Sequence, residues 1–413
     1  MKKLLKRIFA IIGILALIIV VAGGYLAYRI NKLDGAVQLT PEENTPKPGA
    51  IDVTGGIDHK PYLNYLRSNA QSPIQYIVAK FKTCDVVLLG EQHEIRENCQ
   101  FVSNLIEPVY HMVGVRILAW EFLKQKRSPE INTILTADVF NEQRIVQIFR
   151  EDYLYWGFQE YIDVLKSVWV LNRSLPKGEP RFEVVGMAPD IDVYKAMCGT
   201  LWEKLPQILT LLDAERLYAA PIENGLRKNQ KVLVQVGYHH TFFQYKQPKV
   251  IDGKMLGEFN RDRMGQLLKD SYGDRIFQVS LHVRQDQMEP YTAKVTTPLV
   301  KFLETLYTEN GDTAIGFDIS GSIFGLLRDS ASEYFRFQKH VTLSDIAQGY
   351  ILLRPIDELS CVHWITGFVD RSNFQQLRNY ALQRGYIATS ECSSPDQLDQ
   401  KFSSMLNQGM QLN

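Results

Sequence analysis

Cysteine is scarce in this sequence. Cys84, Cys99, Cys198, Cys361 and Cys392 make an odd count in a chain of 413 residues, which excludes a fold built on a disulfide framework. Cys361 and Cys392 are the one candidate pair. Net charge is lacking too. The 46 Lys and Arg residues balance 46 Asp and Glu, so nothing electrostatic marks nucleic acid as a partner. No P-loop, G-x-G-x-x-G fingerprint, H-E-x-x-H helix or G-x-S-x-G elbow occurs. The motif-defined nucleotide-binding, zincin and serine-hydrolase classes are therefore not indicated. Fixed-period repeats and low-complexity tracts are also missing.

What is present begins at the N-terminus. Lys2, Lys3, Lys6 and Arg7 precede an uncharged run from Ile8 to Tyr28. At about 1.5 Å per helical residue, that run is long enough to cross a roughly 30 Å hydrocarbon core. Fewer basic residues follow it, chiefly Arg29 and Lys32. The positive-inside rule then puts the N-terminus in the cytoplasm and the rest of the chain in the periplasm or outside the cell. Val20 and Ala22 offer a small-residue cleavage site for the competing signal-peptide reading. The apolar run continues past it, which favours an uncleaved anchor over residues 1–33. Either reading exports the remainder.

Residues 34–60 read as a linker, with Pro41, Pro46 and Pro48, several Gly and Thr, and few large apolar side chains. From Pro61 onward, short apolar runs alternate with helical periodicity. Asp85–Gly90 reads as a buried strand, Asn98–Met112 as a helix and Val115–Trp120 as the next strand, a parallel crossover unit. Further strands are expected at Phe182–Gly186, Lys231–Gly237, Arg275–His282, Thr313–Ile319 and Gly349–Arg354. Helices are expected at Asn141–Arg150, Tyr161–Leu175 and Leu256–Lys269. The fold class is α/β, a largely parallel central sheet flanked by helices. One domain is expected over residues 61–413, with a helical insertion near 123–180.

Chemistry gathers at the carboxyl ends of these strands. Gly90-Glu91-Gln92-His93 follows the first, Glu121 closes the second, and Asp190 and Asp192 follow the third. Gly237-Tyr238-His239-His240 follows the fourth, His282 ends the fifth and Asp318 lies near the end of the sixth. Ligands of open α/β sheets bind beyond such ends. Glycine lets the backbone turn sharply there, and imidazole with carboxylate suits a transition metal or general acid–base chemistry. Polar loops at strand ends are common to all α/β proteins, so His282 and Asp318 are read individually as solvated loop residues. Gly-x-x-His is weak by itself, since a third copy at Gly56–His59 lies in the linker. The stripe Tyr153, Tyr155, Trp156, Phe158 and Tyr161 reads first as packing and second as the wall of an apolar pocket.

The segments VVLLGEQHE and ILAWEF resemble the superfamily that joins ChaN-type haem-binding proteins, Tiki-type metalloproteases and erythromycin esterases. VLVQVGYHH is similar to the later strand and Gly-x-x-His of the same group. The match covers roughly residues 80–245, and Gly90–His93 is nearest the ChaN form. The resemblance implies functional roles for Glu91, His93, Glu121 and His240.

Two functions follow. In the first, a hydrolase of small-molecule or peptide substrates, His93 and His240 with a carboxylate, Asp190 among the candidates, hold a divalent metal or position a water. Glu91 or Glu121 is then the general base, and the resemblance implies amide or ester bonds. In the second, implied by the ChaN likeness, the protein carries haem, with Tyr238, His239 or His240 as axial ligand. A degenerate scaffold is the third and blandest reading. The topology itself is directly testable. A reporter fused after Lys32 should be active only outside the cytoplasm, and activity inside it would reverse the assigned orientation.

Overall fold

The computed structural model describes residues 36–37, 45–153, 155–251, 254–259, 262–282 and 296–409. The expected anchor lies outside these residues. Among the described residues no helix is long and apolar enough to cross a membrane.

The chain divides into two compact units, residues 1–45 with 246–262, and residues 46–245 with 263–413. The described part of the first is a three-stranded antiparallel sheet of Ala36–Val37, Lys254–Phe259 and Pro248–Ile251. A helix expected to begin at Leu256 is thus a strand first. Gly257 sits at φ 140° opposite a register shift at Lys249 and Val250. That backbone is incompatible with a helical turn.

The second unit is built on a seven-stranded sheet. Its strands are β1 (Val86–Glu91), β2 (Val115–Lys124), β3 (Glu183–Ala188), β4 (Lys231–Gly237), β5 (Ile276–Leu281), β6 (Ile315–Asp318) and β7 (Gly349–Leu352). Their spatial order is β6-β7-β5-β1-β4-β2-β3. Every neighbouring pair is parallel except β6 with β7.

Helices cover both faces, which explains why the central strands are continuous apolar runs rather than alternating ones. Val87 and Leu89 of β1 pack with Val102, Leu105 and Val109 of α1 (Arg96–Val113). Val86 and Leu88 face the other way, toward Ile222 and Leu226 of one later helix and Met264 and Leu268 of the next. Gly114, at φ 76°, stops α1 in the left-handed conformation and releases the chain into β2. Between β2 and β3 stand α2 (Ser128–Thr136), α3 (Glu142–Asp152) and α4 (Gln159–Ser174). After β3 come α5 (Ala214–Arg227), before β4, and α6 (Met264–Tyr272), before β5.

Three details differ from the sequence reading. β2 does not end at Trp120 but runs to Lys124, with a register shift against β3 between Trp120 and Lys124. β6 is antiparallel, so Asp318 pairs with the first residue of β7, Gly349, and its strand runs away from the carboxyl edge that Glu91 reaches. Asp318 binds Tyr76 Oη at 2.6 Å and Lys80 Nζ. Part of the expected linker is ordered, since Ile51–Asp52 pairs with Leu327–Arg328 and Val53 is buried. All five cysteines are free thiols.

Trp120 anchors the sheet to its helices. It is fully buried and donates its indole N–H to Gln235 Oε1 at 2.9 Å. Trp120→Ala should cost about 3–5 kcal/mol of stability, read as a lower urea midpoint. An unchanged midpoint would contradict this packing.

Candidate active site

The carboxyl edge of the sheet brings together residues from three adjacent strands, β1, β4 and β2. β1 ends on Glu91, and the turn beyond it carries His93. Glu91 Oε1 meets His93 Nδ1 at 2.5 Å. The Glu91 side chain is wholly buried, whereas one-fifth of the His93 side chain is exposed. Glu91 therefore lies behind the ring and orients it. The other ring nitrogen, His93 Nε2, lies 3.8 Å from Glu121 Oε1.

Glu121 is placed by the length of β2. The neighbouring β4 ends at Gly237, and its amide donates to Glu121 Oε2 at 2.5 Å. The Tyr218 hydroxyl, one helical turn into α5, also bonds to Glu121. The short turn Tyr238–Thr241 then sends its two histidines apart. His240 points its Nε2 toward Glu121 Oε1 at 3.6 Å, and its Nδ1 meets Glu215 Oε2 at 3.0 Å. His239 turns away, and its Nε2 meets Tyr334 Oη at 2.7 Å.

The result is nearly symmetrical about one oxygen. Two imidazole Nε2 atoms face Glu121 Oε1, and each ring is held from behind by a carboxylate. Glu215 is in turn fixed by Arg263 at 2.8 Å and by the Met264 amide at 2.9 Å. Gly237 makes the approach feasible. A Cβ there would stand 2.9 Å from His93 Cε1 and 3.4 Å from Glu121 Oε2. Its φ of −53° is ordinary, so the need for glycine is steric. The walls are aromatic, with Phe122 and Trp156 edge-on to His93 and Tyr218 edge-on to His240.

The charges respond to this packing. Burial opposes protonation of His93, but Glu121 and Glu91 outweigh it and push its pKa up to about 9. Burial likewise raises Glu91, against the pull of His93. For Glu215, burial is overcome by His240 and Arg263, which bring it down to about 2. Burial disfavours the charged form of His240 too, yet Glu215 and Glu121 leave its pKa raised. His239 goes the other way. Burial, then the cationic Arg263 and His240, lower it to about 3.

Four residues expected at the site, Glu91, His93, Glu121 and His240, meet as described. The other candidates lie elsewhere. Asp190 is more than half exposed and pairs with Lys126 Nζ at 2.6 Å. Tyr238 and His239 pack among Phe242 and Tyr334. His282, read as solvated, is buried, with Tyr350 Oη at 2.7 Å and Glu304 Oε1 at 3.2 Å. His59 faces Glu309 at 3.2 Å. The sequence reading missed Glu215, Tyr218 and Arg263. Glu215 and Tyr218 are spaced for one face of a helix, the only signal that marked them. Among the described residues no group of three or more His, Cys, Asp or Glu is arranged to hold a metal ion.

No family model matches the chain, and no curated protein matches it significantly. Among solved structures, a Bacillus cereus protein is similar over 72% of this chain and 97% of its own, at 10% identity and a TM-score of 0.42. A protein described as a succinoglycan biosynthesis protein is similar over 74% of this chain and 99% of its own, at 11% identity and a TM-score of 0.49. An erythromycin esterase variant in its open conformation is similar over 74% and 96%, at 12% identity and a TM-score of 0.43. At this level of likeness no activity carries over.

The electrostatics predict two distinct histidine titrations by NMR. The His93 ring should deprotonate near pH 9, and His239 should stay neutral until about pH 3. Gly237→Ala should displace the His93 resonances while leaving the far-ultraviolet circular dichroism intact. Unmoved resonances would contradict the steric role of Gly237.

Proposed function

We propose that the chain is a hydrolase of ester or amide bonds, with His93 as the general base that activates water. The observation that carries this reading is the convergence of two carboxylate-backed imidazoles on one oxygen of Glu121. The Nε2 to Oε1 separations of 3.8 and 3.6 Å exceed a direct hydrogen bond. A water seated beside each pair, about 2.8 Å from both atoms, can bond ring and carboxylate together.

Each group then has a role. Glu91 fixes the tautomer of His93 and stabilises the imidazolium formed when water gives up its proton. Glu121 faces that imidazolium from the opposite side. His240, kept protonated by Glu215, donates Nε2–H to the oxyanion that develops on the carbonyl oxygen. His93 finally returns its proton to the leaving group. The base is thus His93 rather than Glu91, because the buried Glu91 carboxylate has no path to substrate.

The resemblance to the superfamily of Tiki-type proteases and erythromycin esterases supports ester or amide bonds as the target class. The anchored, extracytoplasmic placement belongs to the same proposal and rests on the Ile8–Tyr28 run. A resident divalent metal fits this donor set poorly. Asp190 is taken up by Lys126, and among the described residues no three or more His, Cys, Asp or Glu are arranged to hold one. No step is derived through a metal. For haem, Tyr238 and His239 are poor axial ligands, since both pack into an aromatic cluster.

Hydrolysis of p-nitrophenyl esters tests the assignment. His93→Ala, Glu121→Gln and His240→Ala should each lower kcat/KM by about a hundredfold or more. A base must be neutral to act, and the pKa of His93 is raised, so the rate should climb with pH toward about 9. Glu91→Gln removes one of the charges that raise it, so that limb should move to lower pH as the maximal rate falls. A chelator should leave the rate unchanged. Full activity in both histidine variants, or a limb unmoved by Glu91→Gln, would overturn the assignment.

A further inference from the structure

Past the carboxyl end of β3 the chain forms a short helix, Val193–Cys198, and then the helix Leu201–Leu211, before α5 begins at Ala214. Thr200 and Glu203 close a capping box at the start of the second helix, which fixes where it begins. Its sequence is amphipathic. Leu201, Leu205, Ile208 and Leu209, with Leu212 just beyond, recur at the spacing of one helical face, and Trp202 stands beside them. Glu203, Lys204, Gln207 and Thr210 take the opposite face.

The exposed side of this helix is the apolar one. None of its residues is buried. Trp202 is 79% exposed and Leu201 72%, and Ile208 and Leu209 are exposed as well, while Leu205 is half-buried. On the polar side Lys204, Gln207 and Thr210 are half-buried, and Gln207 Oε1 accepts from the Asp192 amide at 2.9 Å. An amphipathic helix on a soluble domain does the reverse. Twelve large apolar residues are exposed among the described residues, and five of them lie in this one helix. Such a concentration marks a surface that something covers.

Size, charge and the rest of the chain indicate what covers it. A helix of 11 residues is about 16 Å long and 10 Å across. One face of it falls well short of the roughly 800 Å² per partner that a stable protein pair buries. A lipid interface needs no matching surface, and a helix of this kind lies in it with its apolar face down and Trp at headgroup level. Glu203 and Lys204 cancel, so the helix has no net charge, and apolar burial rather than lipid charge supplies the attraction. The uncharged run Ile8–Tyr28 brings the bilayer close. Only residues 29–45 separate it from Pro46, where this unit begins, and so short a tether gives a high effective concentration at the membrane.

We infer that the helix Leu201–Leu211 docks on the lipid surface of the membrane that holds the N-terminal run. The inference rests on the anchored placement proposed above and is independent of the hydrolytic chemistry. It also orients the candidate site. The helix leads through Leu212 and Asp213 into the first turns of α5, where Glu215 and Tyr218 hold His240 and Glu121. Docking therefore brings the carboxyl edge of the sheet up to the headgroups.

The test places the full chain in phosphatidylcholine nanodiscs with brominated or plain lipid tails and compares tryptophan emission, which bromine quenches on close approach. The N-terminal run contains no Trp. Of the five tryptophans in the chain, Trp120 and Trp364 are buried, Trp156 and Trp169 are partly buried, and Trp202 is exposed. Brominated tails should lower the emission of the intact chain, at high salt as at low. Trp202→Phe should remove that loss. So should Leu201→Glu, which keeps Trp202 and puts an acid where the start of a helix favours one. No bromine-dependent loss in the intact chain, or an equal loss in Trp202→Phe, would overturn the docking. A blue-shifted Trp202 emission without quenching would overturn it too, in favour of a protein partner. If the chain does not enter nanodiscs, the anchoring fails and brominated vesicles added from outside decide the docking alone. A Trp202-dependent loss of emission then upholds it, and no loss ends it.

Discussion

The bond from the Gly237 amide to Glu121 holds the candidate site together. Ladder pairing between β2 and β4 reaches Trp120 and Gln235. Past that point the carboxylate of one strand accepts the last amide of the other. The contact satisfies a backbone donor that would otherwise be buried and unpaired, and it fixes the direction of both carboxylate oxygens. With Oε2 committed to backbone, Oε1 is left facing the two imidazoles. The absence of a side chain at Gly237 is the other half of the same constraint, because a Cβ would meet His93.

Around that point the charges alternate in sign. Reading outward, Glu91, His93, Glu121, His240, Glu215 and Arg263 form a chain in which each acid neighbours a base. Desolvation alone would make such a buried array costly. Alternation with close hydrogen-bonded contacts offsets that cost, and it holds both rings in single orientations. Rigid placement of this kind is what a reaction centre needs.

Much of this was legible in the sequence, and the exceptions have physical causes. A continuous apolar run followed by Gly-Glu-x-His reads as a buried parallel strand with a polar turn, so β1 and His93 were accessible. β4 and His240 followed the same pattern. Strand direction was not accessible for β6, because a strand as short as Ile315–Asp318 carries the same pattern in either sense. Asp190 follows a strand end as His93 does, but its charge is met by Lys126 two residues beyond β2. Glu215 was hidden because an acidic residue in the first turn of a helix is ordinary in itself. Its role depends on Arg263 and His240, which are distant in sequence. Arg263 was concealed inside a segment read as one helix, where the chain instead passes from a strand in one compact unit to α6 in the other.

The irregularity in β2 has a consequence of its own. Between Trp120 and Lys124 the strand spends four steps where β3 spends two, from Gly186 to Ala188. Such a bulge re-aims side chains that strict alternation would send to opposite faces. The extra residues compress the path, so that the four steps from Trp120 to Lys124 advance only about as far as two regular ones, roughly 7 Å, and the residues between are buried throughout. The slack is confined to Glu121, Phe122 and Leu123, with ladder pairing resuming at Lys124. A one-residue deletion there would re-aim the Glu121 carboxylate while the pairing on either side survived.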